Sequence, residues 1–215
     1  MSWKKPTFCT RDWELQAEES VYRGFFRMDR LTLRHRLFAG GWSDPIRREL
    51  FRRGHSVGVL LYDPVADRVA LLEQFRVGAL DAEGGPWLLE VVAGMMEPGE
   101  TPEAVALREI VEETGLAGLE SAELRPIGRF LLSPGGSDET IALFCGLVDL
   151  AGVGGIHGLP DESEDIRVFT LSSDEAFEAL RAGRCNNAPA AISLQWLQLN
   201  RDSLRISEPS QPRSP

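Results

Sequence analysis

Apolar and polar positions divide the chain into short strand-like runs around one strongly helical stretch. Ser56-Val-Gly-Val-Leu-Leu-Tyr62 and Arg68-Val-Ala-Leu-Leu-Glu73-Gln74 read as strands, joined by Asp63-Pro-Val-Ala-Asp67, a turn by its residue types. Trp87 to Val92 reads as a third strand, and three more are predicted at Arg125 to Leu132, Thr140 to Val148 and Ile166 to Leu171. Helices follow at Ser173 to Ala182 and Pro189 to Leu204. Before all of these, an aromatic-rich segment from Glu18 to His35 alternates in part like a strand, and Phe38-Ala-Gly-Gly-Trp42 reads as a turn back. Strands, one helix, more strands and terminal helices predict a mixed α/β architecture with a small β-rich N-terminal unit.

The middle helix can be read from its ends. Thr101 suits the N-cap, Pro102 the first helical position, where its missing N–H costs nothing, and Gly115 the stop. Ala104, Val105, Leu107, Ile110 and Val111 are read as its apolar face. On the same helix Glu109, Glu112 and Glu113 stand at i, i+3 and i+4 and so share a face, where like charges repel. Three glutamates kept together in this way point to a cation held against them, and oxygen donors suit Mg²⁺ or Mn²⁺. Arg108 lies one turn from Glu112 and is placed to neutralise and aim it. Gly94, Pro98 and Gly99 mark a tight loop ahead of the helix, able to bring a backbone carbonyl near the metal, with Glu100 at the entrance.

Composition narrows the chemistry further. A chain of 215 residues is long enough for one ordinary domain with a small appendage. Its net charge of −10 argues against nucleic-acid or anionic-membrane surfaces, which call for clustered Lys and Arg. No apolar run approaches membrane length, and the start, Met-Ser-Trp-Lys-Lys-Pro, lacks a hydrophobic signal core, so the cytoplasm is expected. Cys9, Cys145 and Cys185 are scattered without metal spacing and read as reduced thiols, Cys145 as a core residue. His35, His55 and His157 are isolated and read as structural.

Gly94, Glu100 and Arg108-Glu109-Ile110-Val-Glu112-Glu113-Thr-Gly115-Leu116 match the Nudix box at every defining position, and the chain resembles the Nudix hydrolases. That resemblance implies an α/β/α sandwich around a mixed sheet and cleavage of a nucleoside diphosphate linked to a second moiety. The implied organisation is an N-terminal β-rich dimerisation unit at 1–53, a Nudix hydrolase domain at 54–204 and a disordered tail at 205–215. Pro134 stands eighteen residues beyond Leu116, slightly further than the usual proline marker of Nudix enzymes that hydrolyse ADP-ribose. Tyr22-Arg-Gly-Phe25-Phe26, Arg47-Arg48-Glu49, Glu73-Gln74-Phe75-Arg76, Trp87-Leu-Leu-Glu90-Val-Val-Ala93-Gly94 and the acidic loop after His157 also resemble bacterial ADP-ribose pyrophosphatases.

By position, the resemblance implies that Ala93 offers its backbone carbonyl, and Glu109 and Glu113 their carboxylates, to Mg²⁺. Glu112 becomes a further ligand or supports one, Glu164 another ligand, and Glu162 the base that activates water. Phe25 and Arg48 would sandwich an adenine from the partner subunit of a homodimer, Arg76 would clamp a phosphate, and Glu139 beyond Pro134 would touch the terminal ribose or rival Glu162 as base. Taken by residue type alone, Phe25 reads as core, Arg76 as a surface ion pair, Glu139 as a loop carboxylate, and Glu162 and Glu164 as part of a solvated acidic loop. Hydrolysis of ADP-ribose is the function expected. The runner-up is another nucleotide sugar such as GDP-mannose, and a third reading is a non-catalytic ADP-ribose sensor.

Overall fold

The computed structural model describes residues 5–159, 161 and 163–205. The chain forms two compact units, one made of residues 1–54 with 131–139 and the other of 55–130 with 140–215.

The first unit is a three-stranded antiparallel sheet of β1 (Trp13–Arg23), β2 (Arg27–His35) and β3 (Ile46–Arg52), in that order. Every residue of β1 is exposed, and the irregular register at Leu15/Ala17 and Ser20/Tyr22 shows where the strand bulges. Sequence pattern places strand character only from Glu18 and misses β3, because Ile46-Arg-Arg-Glu-Leu-Phe-Arg52 carries no clean alternation. The segment 131–139 joins this unit through the main chain. Phe51 N–H donates to Gly136 C=O at 2.8 Å, and Asp138 N–H donates to Phe51 C=O at 3.3 Å. Arg52 sits at the centre of its polar network, donating to Asp29 at 2.8 Å, Glu18 at 2.9 Å and Asp138 at 3.1 Å.

The second unit is an eight-stranded mixed sheet. Its strands are β4 (Ser56–Asp63), β5 (Arg68–Phe75), β6 (Trp87–Glu90), β7 (Val92–Met95), β8 (Leu124–Leu131), β9 (Thr140–Leu147), β10 (Gly155–His157) and β11 (Ile166–Ser172). The main path runs β10-β11-β5-β4-β9-β8, with β4 and β9 parallel. Helix α1 (Pro102–Thr114) packs on one face, and α2 (Ser173–Arg181) and α3 (Ala188–Leu204) pack on the other.

Strand periodicity explains the two cores. Val57, Val59 and Leu61 of β4 join Val105, Ala106 and Ile110 of α1, while Leu60 and Tyr62 join Phe177, Leu194 and Leu197. All eight β4 positions are buried, so this strand reads as a continuous apolar run. Each large side chain removed from water there stabilises the fold by roughly 1.5–3 kcal/mol. The α/β/α sandwich expected from the resemblance is the architecture observed.

One detail of the sheet positions the chemistry. β4 pairs with β5 only at Leu61–Asp63, while its first half, Ser56–Val59, pairs with β7. β5 likewise leaves β4 and pairs with β6 at Leu72–Phe75. The sheet therefore forks, and β6 and β7 line the two inner edges. The single predicted strand from Trp87 to Val92 is in fact two, parted at Val91, because each half serves a different neighbour.

Candidate functional site

Helix α1 forms as its end signals require. Thr101 Oγ1 accepts the Ala104 N–H at 3.3 Å, Pro102 opens the helix, and Gly115 closes it in the left-handed conformation at φ 69°. The apolar face differs from the one read from sequence. Val105, Ala106 and Ile110 are buried, but Ala104 and Val111 are exposed, so the inward stripe is rotated and runs on into Glu113 and Thr114. Helix α1 thus carries a carboxylate at a core position. Glu113 is only 2% exposed.

What receives that carboxylate is the inner edge of the fork. Ala93 N–H donates to Glu113 Oε2 at 2.9 Å, and Ala93 stands opposite Gly58 of β4. Next along β7, Gly94 makes room for Glu109. A Cβ on Gly94 would lie 1.8 Å from Glu109 Oε1 and 1.9 Å from its Cδ. Glu109 and Glu113 are thereby laid against β7 by one helix.

Arg108 binds the outer side of the same face. Its Nη1 donates to Glu109 Oε1 at 2.7 Å and to Glu112 Oε2 at 3.1 Å, and its Nη2 donates to Met95 C=O at 3.3 Å. Glu100 Oε2 lies 3.7 Å from Nη2 and also accepts the Glu97 N–H at 2.8 Å. One guanidinium therefore spans three carboxylates and offsets their repulsion, extending the Arg108–Glu112 contact expected from sequence.

Burial dominates the electrostatics of the inner pair. It pushes Glu109 up to about 7, with Arg108 opposing and Glu112 and Glu164 adding to the rise. It pushes Glu113 up to about 8, with the Ala93 N–H opposing and Glu109 and Glu164 adding. Between the ordinary carboxylate value of 4.5 and about 8, the unfolded chain has released protons that the folded chain still holds. Stability without metal must therefore fall as pH rises through that window. The melting temperature measured in EDTA is expected to drop by on the order of 5 °C between pH 5 and pH 8.5. Mg²⁺ should restore more of it at pH 8.5 than at pH 5.

Other predicted residues border this centre. Glu164 follows Ser163, whose φ is 58°, and is tied into a turn. Its own N–H donates to Leu159 C=O at 3.2 Å, and its Oε2 accepts the Leu159 N–H at 3.3 Å. Glu162 lies outside the described residues. Arg76 follows β5 and donates to Glu90 through Nε at 2.9 Å and Nη2 at 2.7 Å, with Glu113 and Glu164 in electrostatic reach. No role for Glu90 is predicted from sequence. Its signal in sequence is a lone carboxylate ending the short apolar run Trp87-Leu-Leu. The acidic loop is preceded by a short strand, β10, which sequence reading treated as loop.

The remaining candidates belong to the N-terminal unit. Phe25 is 94% exposed in the β1–β2 turn, which excludes the core reading, and its ring packs edge-on to Phe26 at 4.8 Å. Arg48, on β3 opposite Leu31, is exposed and donates to Arg47 C=O at 2.7 Å. Pro134 is exposed, whereas Glu139 is buried and ion-paired with Arg53. Glu139 is thus a loop carboxylate, but one held by an arginine. Arg52 and Arg53, to which sequence reading assigned nothing, each bind one acid of the 131–139 segment.

The histidines behave structurally. His35 Nδ1 meets Arg36 C=O at 2.9 Å, His55 Nδ1 meets Thr140 Oγ1 at 3.0 Å, and His157 Nε2 meets Gly154 C=O at 3.1 Å. As arranged, the described residues hold no ready-made group of three His, Cys, Asp or Glu around a metal position. Glu109 and Glu112 turn to Arg108 while Glu113 turns to Ala93. The donor chemistry nonetheless fits a hard divalent cation, since desolvated carboxylates on adjacent turns have much to gain from one.

The NUDIX domain family matches residues 52–184. The chain is 48% identical over 199 residues to an ADP-ribose pyrophosphatase of Escherichia coli, covering 93% of this chain and 94% of that protein. It is 45% identical over 203 residues to an ADP-ribose pyrophosphatase of Haemophilus influenzae, covering 93% and 92%. A GDP-mannose pyrophosphatase of Cronobacter sakazakii is 37% identical over 155 residues, covering 71% and 78%.

Proposed function

The chain belongs to the NUDIX family, and on that premise we propose that it hydrolyses the pyrophosphate bond of ADP-ribose, releasing AMP and ribose 5-phosphate. The observation that carries the site is Glu113, a carboxylate buried at 2% exposure beside Glu109 and aimed at the Ala93–Gly94 edge. The preference for ADP-ribose is supported by similarity across 93% of the chain, including the N-terminal unit, to relatives named for that substrate.

The residues divide the work. Glu109 and Glu113, with Glu112 or Glu164 and the Ala93 carbonyl, would hold divalent metal, for which we favour Mg²⁺ and admit Mn²⁺. Such a cation, when bound, offsets the charge of the pyrophosphate oxygens and polarises water. Arg108 holds Glu109 and Glu112 in place. Arg76 provides a guanidinium for a phosphate oxygen. Glu162 is assigned to take the proton of the attacking water as the bridging P–O bond breaks, and Glu139, occupied by Arg53, is the weaker choice.

The reading extends to assembly. Trp13, Leu15, Tyr22 and Phe25 are exposed on the N-terminal sheet and turn, which supports a homodimer in which Phe25 and Arg48 of one protomer serve the adenine of the other. No helix among the described residues is long and apolar enough to cross a membrane, and a cytoplasmic location is proposed.

A substrate panel tests the function. With Mg²⁺, AMP release from ADP-ribose should exceed hydrolysis of GDP-mannose by at least about tenfold in kcat/KM, and EDTA should abolish both. Faster GDP-mannose cleavage would establish the runner-up. Tight ADP-ribose binding without AMP release would establish the sensor.

A further inference from the structure

Glu90 ends β6 opposite Leu72, on the β5 side of the fork. Its side chain is 13% exposed, against 39% for Arg76. The two Arg76 bonds, from Nε and Nη2, converge on the single oxygen Oε2. The arginine backbone is also fixed, its N–H donating to Pro86 C=O at 2.8 Å. Among the described residues, the Nη1 of Arg76 makes no hydrogen bond. An ordinary surface pair leaves both side chains free to swing, whereas here one partner is sunk into the sheet and grips one edge of a planar fork.

We propose that Glu90 is a positioning residue, holding Arg76 so that its Nη1 edge faces a phosphoryl oxygen of the substrate's pyrophosphate. This rests on the pyrophosphatase reading given above. A guanidinium held by its Nε–Nη2 edge loses little further freedom when its other edge binds an anion, so the contact is prepared before substrate arrives. Without Glu90 the positive charge remains and its direction is lost.

A double-mutant cycle decides between positioning and mere support of the fold. Wild type, E90A, R76A and E90A/R76A are compared in steady-state hydrolysis of ADP-ribose and in calorimetric binding of inorganic pyrophosphate with Mg²⁺. R76A should lower kcat/KM by roughly 10²–10³-fold and E90A by roughly 10–100-fold. The double variant should be no worse than R76A, because Glu90 acts through Arg76 alone. Glu90→Gln, which keeps an oxygen for the guanidinium and the shape of the side chain, should recover part of the loss at an unchanged melting temperature.

The proposal is overturned if E90A and E90Q both stay within about twofold of wild type, or if the E90A loss multiplies with that of R76A. Should wild type release no AMP from ADP-ribose, the substrate reading fails instead. Glu90 is then judged by the same non-additivity in pyrophosphate affinity.

Discussion

Replacing Glu113 with Gln is expected to cut ADP-ribose turnover assayed with Mg²⁺ by roughly 10²–10³-fold and to leave the fold intact. Glutamine keeps an oxygen for the Ala93 N–H, which holds this side chain at β7, and it keeps the volume. Only the charge is lost. At pH 8.5 in EDTA the variant should melt no lower than wild type, because wild type there holds an ionised carboxylate at a position where burial raises its pKa to about 8. The dependence of its melting temperature on pH should be shallower for the same reason. Paired measurements of turnover and melting across pH 5–8.5 check both parts. Turnover within tenfold of wild type would show that Glu113 holds no catalytic metal.

Gly94→Ala should be nearly as damaging to activity, by a different route. Gly94 is not among the glycines with positive φ, so the backbone accepts alanine, and the harm is confined to what the new methyl meets. It meets three atoms of one side chain, Glu109 Oε1, Cδ and Cγ, at 1.8, 1.9 and 2.4 Å. Glu109 must swing away from β7, losing its place against Gly94 and its hydrogen bond from Arg108 Nη1. A misplacement of this size is expected to cost about 10²-fold in turnover and to raise the Mg²⁺ concentration needed for half-maximal rate. Circular dichroism should stay unchanged. An alanine variant with wild-type turnover and metal dependence would mean that Glu109 can act from elsewhere.

Much of this was legible along the chain because it is local. Thr101, Pro102 and Gly115 bracket α1 as read, since caps depend on neighbours in sequence. The i, i+4 spacing placed Arg108 beside Glu112, since helix geometry alone decides such contacts. The same local logic erred where a tertiary partner chose the outcome. Apolar spacing predicts Ala104 and Val111 on the buried face, yet they are exposed, because the sheet draws in the stripe containing Ala106, Ile110 and Glu113. β3 escaped notice because its pairing with β2 rests on backbone bonds that charged side chains do not advertise.

Sequence by itself determined the helix, its acidic face, its family resemblance and the apolar run that forms β4. Tertiary structure decided which of those carboxylates is buried, what Arg76 binds, and that Glu139 is engaged by Arg53 within the N-terminal unit. The physical reason is range. Capping, periodicity and like-charge spacing act within a turn or two of chain. Desolvation of Glu113, the Gly94 cradle for Glu109 and the Glu90 grip on Arg76 instead arise where the fork in the sheet brings residues fourteen or more positions apart into contact.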